Sequence, residues 1–229
     1  MKYQYILIDN DGTLMDFKLA QKHALEKAFK QMYPGTPYSD KILEIYARCN
    51  QNWWDKLERG ECTKGELQTG RFNDFIGEVG VFGSPESFNR KYMAALGEGS
   101  YLIDGAFQVM KKLASKYKIY IITNGVSKTQ YRRIRNSDFA PYVDGIFVSE
   151  ETGFAKPAAE YFDFVVHKIG DADRSKYLVI GDSLTSDISG AANAGIDAVW
   201  YNPDGIKSEA ENTVIAEITD LKELLTLLL

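Results

Sequence analysis

The sequence predicts an α/β protein with a doubly wound, mainly parallel Rossmann-like sheet and an inserted all-helical domain. Two observations lead to this prediction. Short apolar runs without polar alternation recur along the chain, and amphipathic helical stretches separate them. The interval from about Asp16 to about Gly99 departs from this alternation, because its pattern predicts helices only. Alternating strands and helices are typical of parallel sheets covered on both faces, and a purely helical interruption indicates an insertion.

The predicted strands are rich in Ile, Val and Tyr, which suits strands buried on both faces. They are Tyr5–Ile8, Ile119–Ile122, Ile146–Val148, Tyr177–Ile180 and Ala198–Tyr201. Helical periodicity predicts the segments that follow or separate them. These are Ala106–Tyr117, Lys128–Asn136, Glu160–Lys168, Asp187–Ala194 and Leu221–Leu229.

We predict two domains: a discontinuous core formed by residues 1–15 and 100–229, and a helical domain formed by residues 16–99. Two predicted helix starts support the helical domain. Thr63 to Glu66 has the pattern of a capping box, and Ser84-Pro85 combines an N-cap residue with proline at the first helical position. An insertion after the first strand is expected to lie over the carboxyl ends of the strands, where open α/β sheets bind ligands.

Composition excludes several classes of partner. The chain has 32 acidic and 27 basic residues, a formal net charge of −5, and no block of Lys or Arg that could follow a phosphodiester backbone. We therefore expect no binding to polymeric nucleic acid. The chain also lacks an apolar run of about 18 residues, so we expect no membrane contact and a cytoplasmic protein. Nothing in the sequence predicts an oligomeric state.

Two carboxylates follow the first predicted strand directly. Asp9 and Asp11 lie in the segment DNDGT, at the binding edge of the predicted sheet. Asp11-Gly12 could also form a simple turn. A calcium loop starts in the same way, but Leu14 and Ala20 occupy the positions where that loop requires glycine and a bidentate glutamate. The calcium interpretation is therefore rejected.

Three further signals are weak when taken one at a time. Asp182 and Asp187 follow another buried strand, although Ser186 could be a plain N-cap there. The segment Thr123-Asn124-Gly125 ends a strand with a hydroxyl and an amide, but Asn-Gly is also a turn signal. Lys156-Pro157 alone predicts only an exposed lysine before a proline.

In this order and at these spacings, the signals resemble the four motifs of the haloacid dehalogenase (HAD) superfamily. Asp9 and Asp11 match the first motif, Thr123 the second, Lys156 the third, and the aspartates of GDSLTSD the fourth. The resemblance covers essentially the whole chain, since the helical insertion takes the place of the subfamily I cap. It implies the HAD-like fold with a cap domain.

The resemblance also implies a mechanism. Asp9 would be the nucleophile that forms an aspartyl-phosphate, and Asp11 would be the general acid and then the general base. Asp9, the backbone carbonyl of Asp11, Asp182 and Asp187 would bind Mg2+, with Mn2+ able to substitute. Dehalogenases of the superfamily typically lack the second aspartate, so the presence of Asp11 favours phosphoryl transfer.

The phosphoryl oxygens would be held by Thr123, Asn124 and Lys156, again by resemblance. A phosphate ester repels a carboxylate nucleophile, so a cation and a lysine are needed to offset that repulsion. The substrate would be a small phosphorylated metabolite. A noncatalytic regulator built on the same fold is disfavoured, because none of the nucleophile, metal-ligand or lysine positions is missing.

Phrases in the helical domain and near the third motif are similar to bacterial pyrimidine 5'-nucleotidases of this superfamily. Examples are NWWDKL, beginning at Asn52, and QTGRF, ending at Phe72. The similarity implies a nucleoside monophosphate substrate, including noncanonical pyrimidine nucleotides, that Trp53, Arg71 or Phe72 would contact. Each of these three could instead pack or pair within the helical domain. A phosphatase or phosphomutase acting on a sugar phosphate or another small phosphate ester is the alternative.

Overall fold

The computed structural model of the protein describes residues 2–207 and 214–229. The chain divides into two units, one formed by Met1–Phe17 and Ser100–Leu229 and the other by Lys18–Gly99. Residues 1 and 208–213, which belong to the predicted core domain, lie outside the described residues. The role of a cap for the second unit stays a prediction.

A six-stranded parallel sheet forms the centre of the first unit, in the order β3-β2-β1-β4-β5-β6. The strands are β1 (Tyr5–Asp9), β2 (Lys118–Thr123), β3 (Gly145–Val148), β4 (Tyr177–Gly181), β5 (Asp197–Tyr201) and β6 (Ala216–Ile218). The strand order reverses direction beside β1, as in doubly wound folds. The predicted fold class is confirmed. The edge strand β6 is absent from the predicted strands, because three residues with a central glutamate give no apolar run.

The described helices are α1 (Phe17–Met32), α2 (Asp40–Glu58), α3 (Lys64–Val79), α4 (Pro85–Leu96), α5 (Ala106–Leu113), α6 (Ser127–Arg135), α7 (Ser149–Thr152), α8 (Ala159–Ile169), α9 (Ser189–Asn193) and α10 (Glu223–Leu228). A π-helical turn, Leu184–Ile188, precedes α9. No described helix is both long and apolar enough to span a bilayer.

Both faces of the sheet are buried, which explains the unalternated strands. Ile6 and Ile8 of β1 lie in one apolar cluster with Val109 of α5 and Leu224 of α10. Leu7 lies in a second cluster, with residues of α8 and α9. Because neighbouring strand residues point to opposite faces, every residue of such a strand must be apolar until the strand ends. The polar residues therefore concentrate at the strand ends, where the site is found.

Helices α2, α3 and α4 belong to the second unit, and the two predicted helix starts, those of α3 and α4, are confirmed. Thr63 and Glu66 form a complete capping box at the start of α3, and Ser84 caps α4 with Pro85 in its first turn. The interior of this unit is largely aromatic. Phe72 stacks on Tyr46, with ring centroids 5.3 Å apart. Interlocked rings of this kind bury a large apolar area in a small helical unit.

Candidate active site

The ends of β1, β2 and β4 bring the predicted motifs together. These strands are hydrogen-bonded neighbours, and in the register of the sheet Asp9 pairs with Ile122. Asp9 is the last residue of β1, Thr123 the last residue of β2, and Asp182 directly follows β4. Because the strands are parallel, these three residues lie at one edge of the sheet.

Three acidic side chains form a cluster at this edge. Asp9, Asp182 and Asp187 each offer a carboxylate oxygen, and these oxygens lie within 4.8 Å of one another. Asp9 and Asp187 are buried, whereas Asp182 is partly exposed. Thr13 Oγ1 donates a hydrogen bond to Asp182 Oδ1 at 3.0 Å, which orients that carboxylate. Three of the residues predicted as metal ligands are therefore together in space.

Gly12 allows this close approach. Its φ is 95°, in the region that favours glycine, and a Cβ atom there would overlap the Asp182 carboxylate. The turn after β1 is closed by hydrogen bonds from the backbone of Leu14 and Met15 to the carbonyl of Asn10. The glycine of the DNDGT segment is thus required both by the backbone conformation and by the space that Asp182 occupies.

Lys156 connects two members of the acidic cluster. Its Nζ donates to Asp9 Oδ1 and to Asp187 Oδ1, each at 2.6 Å, and to the Ile122 carbonyl at 3.1 Å. The side chain is 1% exposed, so this is a buried ammonium with all three of its donors used. Burial alone would lower the pKa of Lys156, but the carboxylates of Asp187 and Asp9 outweigh it and hold that pKa above its ordinary value.

The acidic cluster still carries more negative charge than Lys156 can offset. Burial raises the pKa of Asp9 well above its ordinary value, and the carboxylates of Asp187 and Asp182 raise it further, against the opposing effect of Lys156. Burial and then Asp187 likewise raise the pKa of Asp182 from 3.8 to about 6. A hard divalent cation such as Mg2+ stabilises clustered carboxylates whose negative charge no other group offsets. The donor set therefore fits that ion.

These shifts predict a pH dependence for Mg2+ binding. Between about pH 4 and pH 6 the folded protein holds a proton on Asp182 that the unfolded chain releases, so this group's contribution to metal-free stability falls as pH rises through that window. Bound Mg2+ needs the deprotonated carboxylate. We expect Mg2+ to raise the melting temperature little at pH 5 and clearly at pH 7.5. At a Mg2+ concentration of 100 times Kd, the stabilisation at pH 7.5 should be about 2.7 kcal/mol.

Thermal denaturation with Mg2+ and with EDTA at both pH values measures this effect. The control is Asp182→Asn, which removes the titrating group and a predicted ligand and should abolish most of the Mg2+ effect at either pH. An equal Mg2+ effect at pH 5 and pH 7.5 in the unaltered protein would contradict the prediction.

Besides Lys156, the residues predicted to hold phosphate are Thr123 and Asn124, at the end of β2. Thr123 is 2% exposed, and its Oγ1 accepts a hydrogen bond from the Gly125 backbone at 3.0 Å. The side chain of Asn124 binds the backbone of Lys156 at two points: Nδ2 donates to the Lys156 carbonyl at 2.8 Å, and Oδ1 accepts from the Lys156 N–H at 3.0 Å. The Asn124 side chain therefore holds Lys156 in place, a contact that the predicted phosphate-binding role does not include.

Asp11 contacts two residues that sequence reasoning missed. Gln130 Nε2 donates to Asp11 Oδ2 at 2.5 Å, and Arg133 Nη1 forms a short ion pair with Asp11 Oδ1. Both residues are on α6, the helix that follows the second motif. A spacing of three places them on one face of that helix. This spacing was the only available signal, and it is too common in helices to point to Asp11.

The three predicted substrate residues of the helical unit differ in their surroundings. Phe72 is fully buried against Tyr46 and other rings of its own unit, so base stacking by Phe72 is disfavoured and packing is its role here. Arg71 is 3% exposed, and its Nη1 donates to Asn50 Oδ1 at 2.8 Å. Trp53 is partly exposed, with its Nε1 bonded to Asp74 Oδ2 at 2.8 Å. Of the three side chains, that of Trp53 is the most exposed.

Comparison with known families identifies the chain. The family model for haloacid dehalogenase-like hydrolases matches residues 3–195. The protein belongs to this family. The match spans all four motifs, and the predicted resemblance is confirmed.

Relatives of the protein extend over nearly its whole length. The HAD-hydrolase YfnB of Bacillus subtilis is 40% identical over 223 residues, covering 97% of this chain and 94% of YfnB. The pyrimidine 5'-nucleotidases PynA of Streptococcus pneumoniae and YjjG of Escherichia coli are each 31% identical, covering 98% of this chain and 94% and 99% of their own. A crystal structure of YfnB bound to magnesium has a TM-score of 0.93 at 39% identity and covers 100% of this chain and 99% of that one.

Proposed function

We propose that the protein is a Mg2+-dependent phosphomonoesterase that works through an aspartyl-phosphate on Asp9, and that pyrimidine nucleoside 5'-monophosphates are its substrates. One observation carries the reaction type: a buried carboxylate at the end of β1 is paired with Lys156 and clustered with Asp182 and Asp187, while Asp11 follows two residues later. The similarity to PynA and YjjG supports the substrate class.

The first half of the reaction uses Asp9 and Asp11. A carboxylate oxygen of Asp9 attacks phosphorus, the bond from phosphorus to the ester oxygen breaks, and Asp11 gives its proton to that departing oxygen, so that a neutral alcohol leaves. Lys156 donates hydrogen bonds from a fully buried position, so it offsets negative charge where the phosphoryl group is transferred. A cation held by Asp9, Asp182, Asp187 and the Asp11 carbonyl would add positive charge against the same repulsion.

The second half returns the enzyme to its starting state. Asp11, now a carboxylate, takes a proton from water as that water attacks the phosphorus of the aspartyl-phosphate. The bond from phosphorus to the Asp9 oxygen breaks, and inorganic phosphate leaves. The same residue thus acts as an acid and then as a base, which requires that its carboxylate stay within hydrogen-bond distance of both oxygens in turn.

A panel of phosphate esters tests the substrate class. With Mg2+, we expect kcat/KM for UMP, dUMP and dTMP to exceed that for purine nucleotides and hexose phosphates by about 10-fold or more, which corresponds to about 1.4 kcal/mol of transition-state discrimination. Phosphate release is the measurement. An Asp9→Asn preparation made in parallel reports contaminating phosphatases. Equal or better turnover of sugar phosphates would contradict the nucleotidase assignment and favour a sugar phosphatase.

A further inference from the structure

The carboxylate of Asp11 is held at both of its oxygens by one helix. Arg133 of α6 pairs with Oδ1, and Gln130 of the same helix donates to Oδ2. Arg133 is fully buried and Gln130 is 3% exposed, whereas the Asp11 side chain is 22% exposed. A carboxylate with a separate donor on each oxygen cannot rotate about its Cβ–Cγ bond without losing one of them.

The orientation of Gln130 is itself determined by its neighbours. Asn10 Nδ2 donates to Gln130 Oε1 at 2.7 Å, so the carbonyl end of the Gln130 amide faces Asn10 and its NH2 end faces Asp11. Gly125 lies against the same amide, and a Cβ atom at Gly125 would overlap it. The amide therefore fits a space formed by the residue before Asp11 and by the loop after β2.

Burial of the charged Arg133 side chain is energetically unfavourable, and the Arg133 backbone is also held by a hydrogen bond. Ser100 Oγ donates to the Arg133 carbonyl at 2.9 Å. Removing a guanidinium from water is energetically unfavourable, and a protein with an apolar side chain in the same place is often no less stable. Stability alone therefore gives little reason for an arginine here, whereas a charged, forked donor suits the orientation of a carboxylate.

We propose that Gln130 and Arg133 are positioning residues, which aim the Asp11 carboxylate at the leaving-group oxygen and so support acid–base catalysis. This inference rests on the proposed function, because it assigns no role to either residue unless Asp11 transfers protons. Neither residue touches the reacting atoms. Each acts through Asp11, and misplacement of a catalytic group by about 1 Å can cost about 100-fold in rate.

Leaving-group chemistry gives a test that a merely structural role would not affect. Phenyl phosphate and p-nitrophenyl phosphate are similar in shape, but phenolate is the more basic leaving group and needs protonation more. The value of kcat/KM covers steps only through release of the phenol, so it reports the acid step without the later hydrolysis. A mispositioned acid should therefore lower kcat/KM for phenyl phosphate more than for p-nitrophenyl phosphate.

The variants are Gln130→Met and Arg133→Met, with Arg133→Lys as the conservative replacement and Arg135→Met as the matched control. Arg135 is on the same helix but exposed. The ratio to compare is kcat/KM for phenyl phosphate divided by kcat/KM for p-nitrophenyl phosphate. We expect this ratio to fall by about 10-fold or more in Gln130→Met and Arg133→Met, to recover in part in Arg133→Lys, and to stay unchanged in Arg135→Met. Asp11→Asn sets the largest attainable change, and thermal denaturation checks folding.

The outcomes separate this inference from the proposed function. If Asp11→Asn lowers the ratio but Gln130→Met and Arg133→Met do not, Asp11 needs no positioning by α6 and the inference is wrong while the phosphatase stands. If Arg135→Met lowers the ratio equally, the effect is not specific and the inference is also wrong. If the unaltered protein hydrolyses neither these two esters nor UMP, dUMP or dTMP, both proposals fail. Should Arg133→Met not fold, Gln130→Met carries the test.

Discussion

Replacing Asp9 by Asn should reduce phosphatase activity by at least about 1,000-fold while leaving the protein folded. An amide of the same shape is a poor nucleophile toward phosphorus, so no aspartyl-phosphate can form. The fold should tolerate the change, because burial and the neighbouring carboxylates already raise the pKa of Asp9 and disfavour its charge. Lys156 keeps its ion pair with Asp187 in this variant.

Two measurements check this prediction. Acid quenching during turnover, followed by mass spectrometry, should find a phosphorylated peptide that contains Asp9 in the unaltered protein and none in Asp9→Asn. Asp163→Asn is the matched control, because Asp163 is an exposed aspartate on α8 that pairs with Arg174, and it should keep full activity. Substantial turnover by Asp9→Asn would remove Asp9 from the mechanism.

Replacing Lys156 by Met should abolish activity and also destabilise the protein by about 3–5 kcal/mol in the absence of metal. The variant leaves the buried carboxylates of Asp9 and Asp187 without their ammonium partner. Mg2+ should recover part of the lost stability, because the ion supplies positive charge at the same carboxylates. Urea denaturation in EDTA and in Mg2+ measures both effects.

A second substitution makes this stability prediction specific. Adding Asp187→Asn to Lys156→Met removes one of the unpaired charges, so the double variant should be more stable in EDTA than Lys156→Met alone. Lys118→Met is the control, since Lys118 is an exposed lysine whose pair with Asp144 should contribute little. If Lys156→Met were as stable as Lys118→Met, the buried ion pairs of Lys156 with Asp9 and Asp187 would not contribute to stability, and the prediction would be wrong.

The site residues that could be predicted from the sequence lie in short contiguous motifs at strand ends. Asp9, Thr123 and Asp182 each follow an apolar run, and parallel pairing brings such ends to one edge of the sheet. The geometry of this edge therefore follows from local patterns together with strand order. The metal-ligand and nucleophile roles of these residues stay predictions, but their proximity in space does not depend on those roles.

Contacts between separate elements could not be read from the sequence in the same way. Gln130 and Arg133 are polar residues in a helix with several basic residues, a pattern that usually indicates a solvated face. Only the packing of α6 against the loop after β1, which contains Asp11, shows that Arg133 is buried. Phe72 is the opposite case, because an aromatic residue in a small helical unit can stack on a ligand or fill the interior, and only its burial in the structure decides between the two.

The two hydrogen bonds between the Asn124 side chain and the backbone of Lys156 join segments that are 32 residues apart in the chain. They fasten the end of β2 to the loop before α8 without using the intervening chain, which includes α6, β3 and α7. These bonds therefore hold Lys156 beside the end of β2 directly, in addition to the pairing of Thr123 with Val148 of β3. Surface turns of the intervening segment should accordingly tolerate insertions or deletions, in evolution or by design, as long as β3 keeps its place and Lys156 stays beside Asp9.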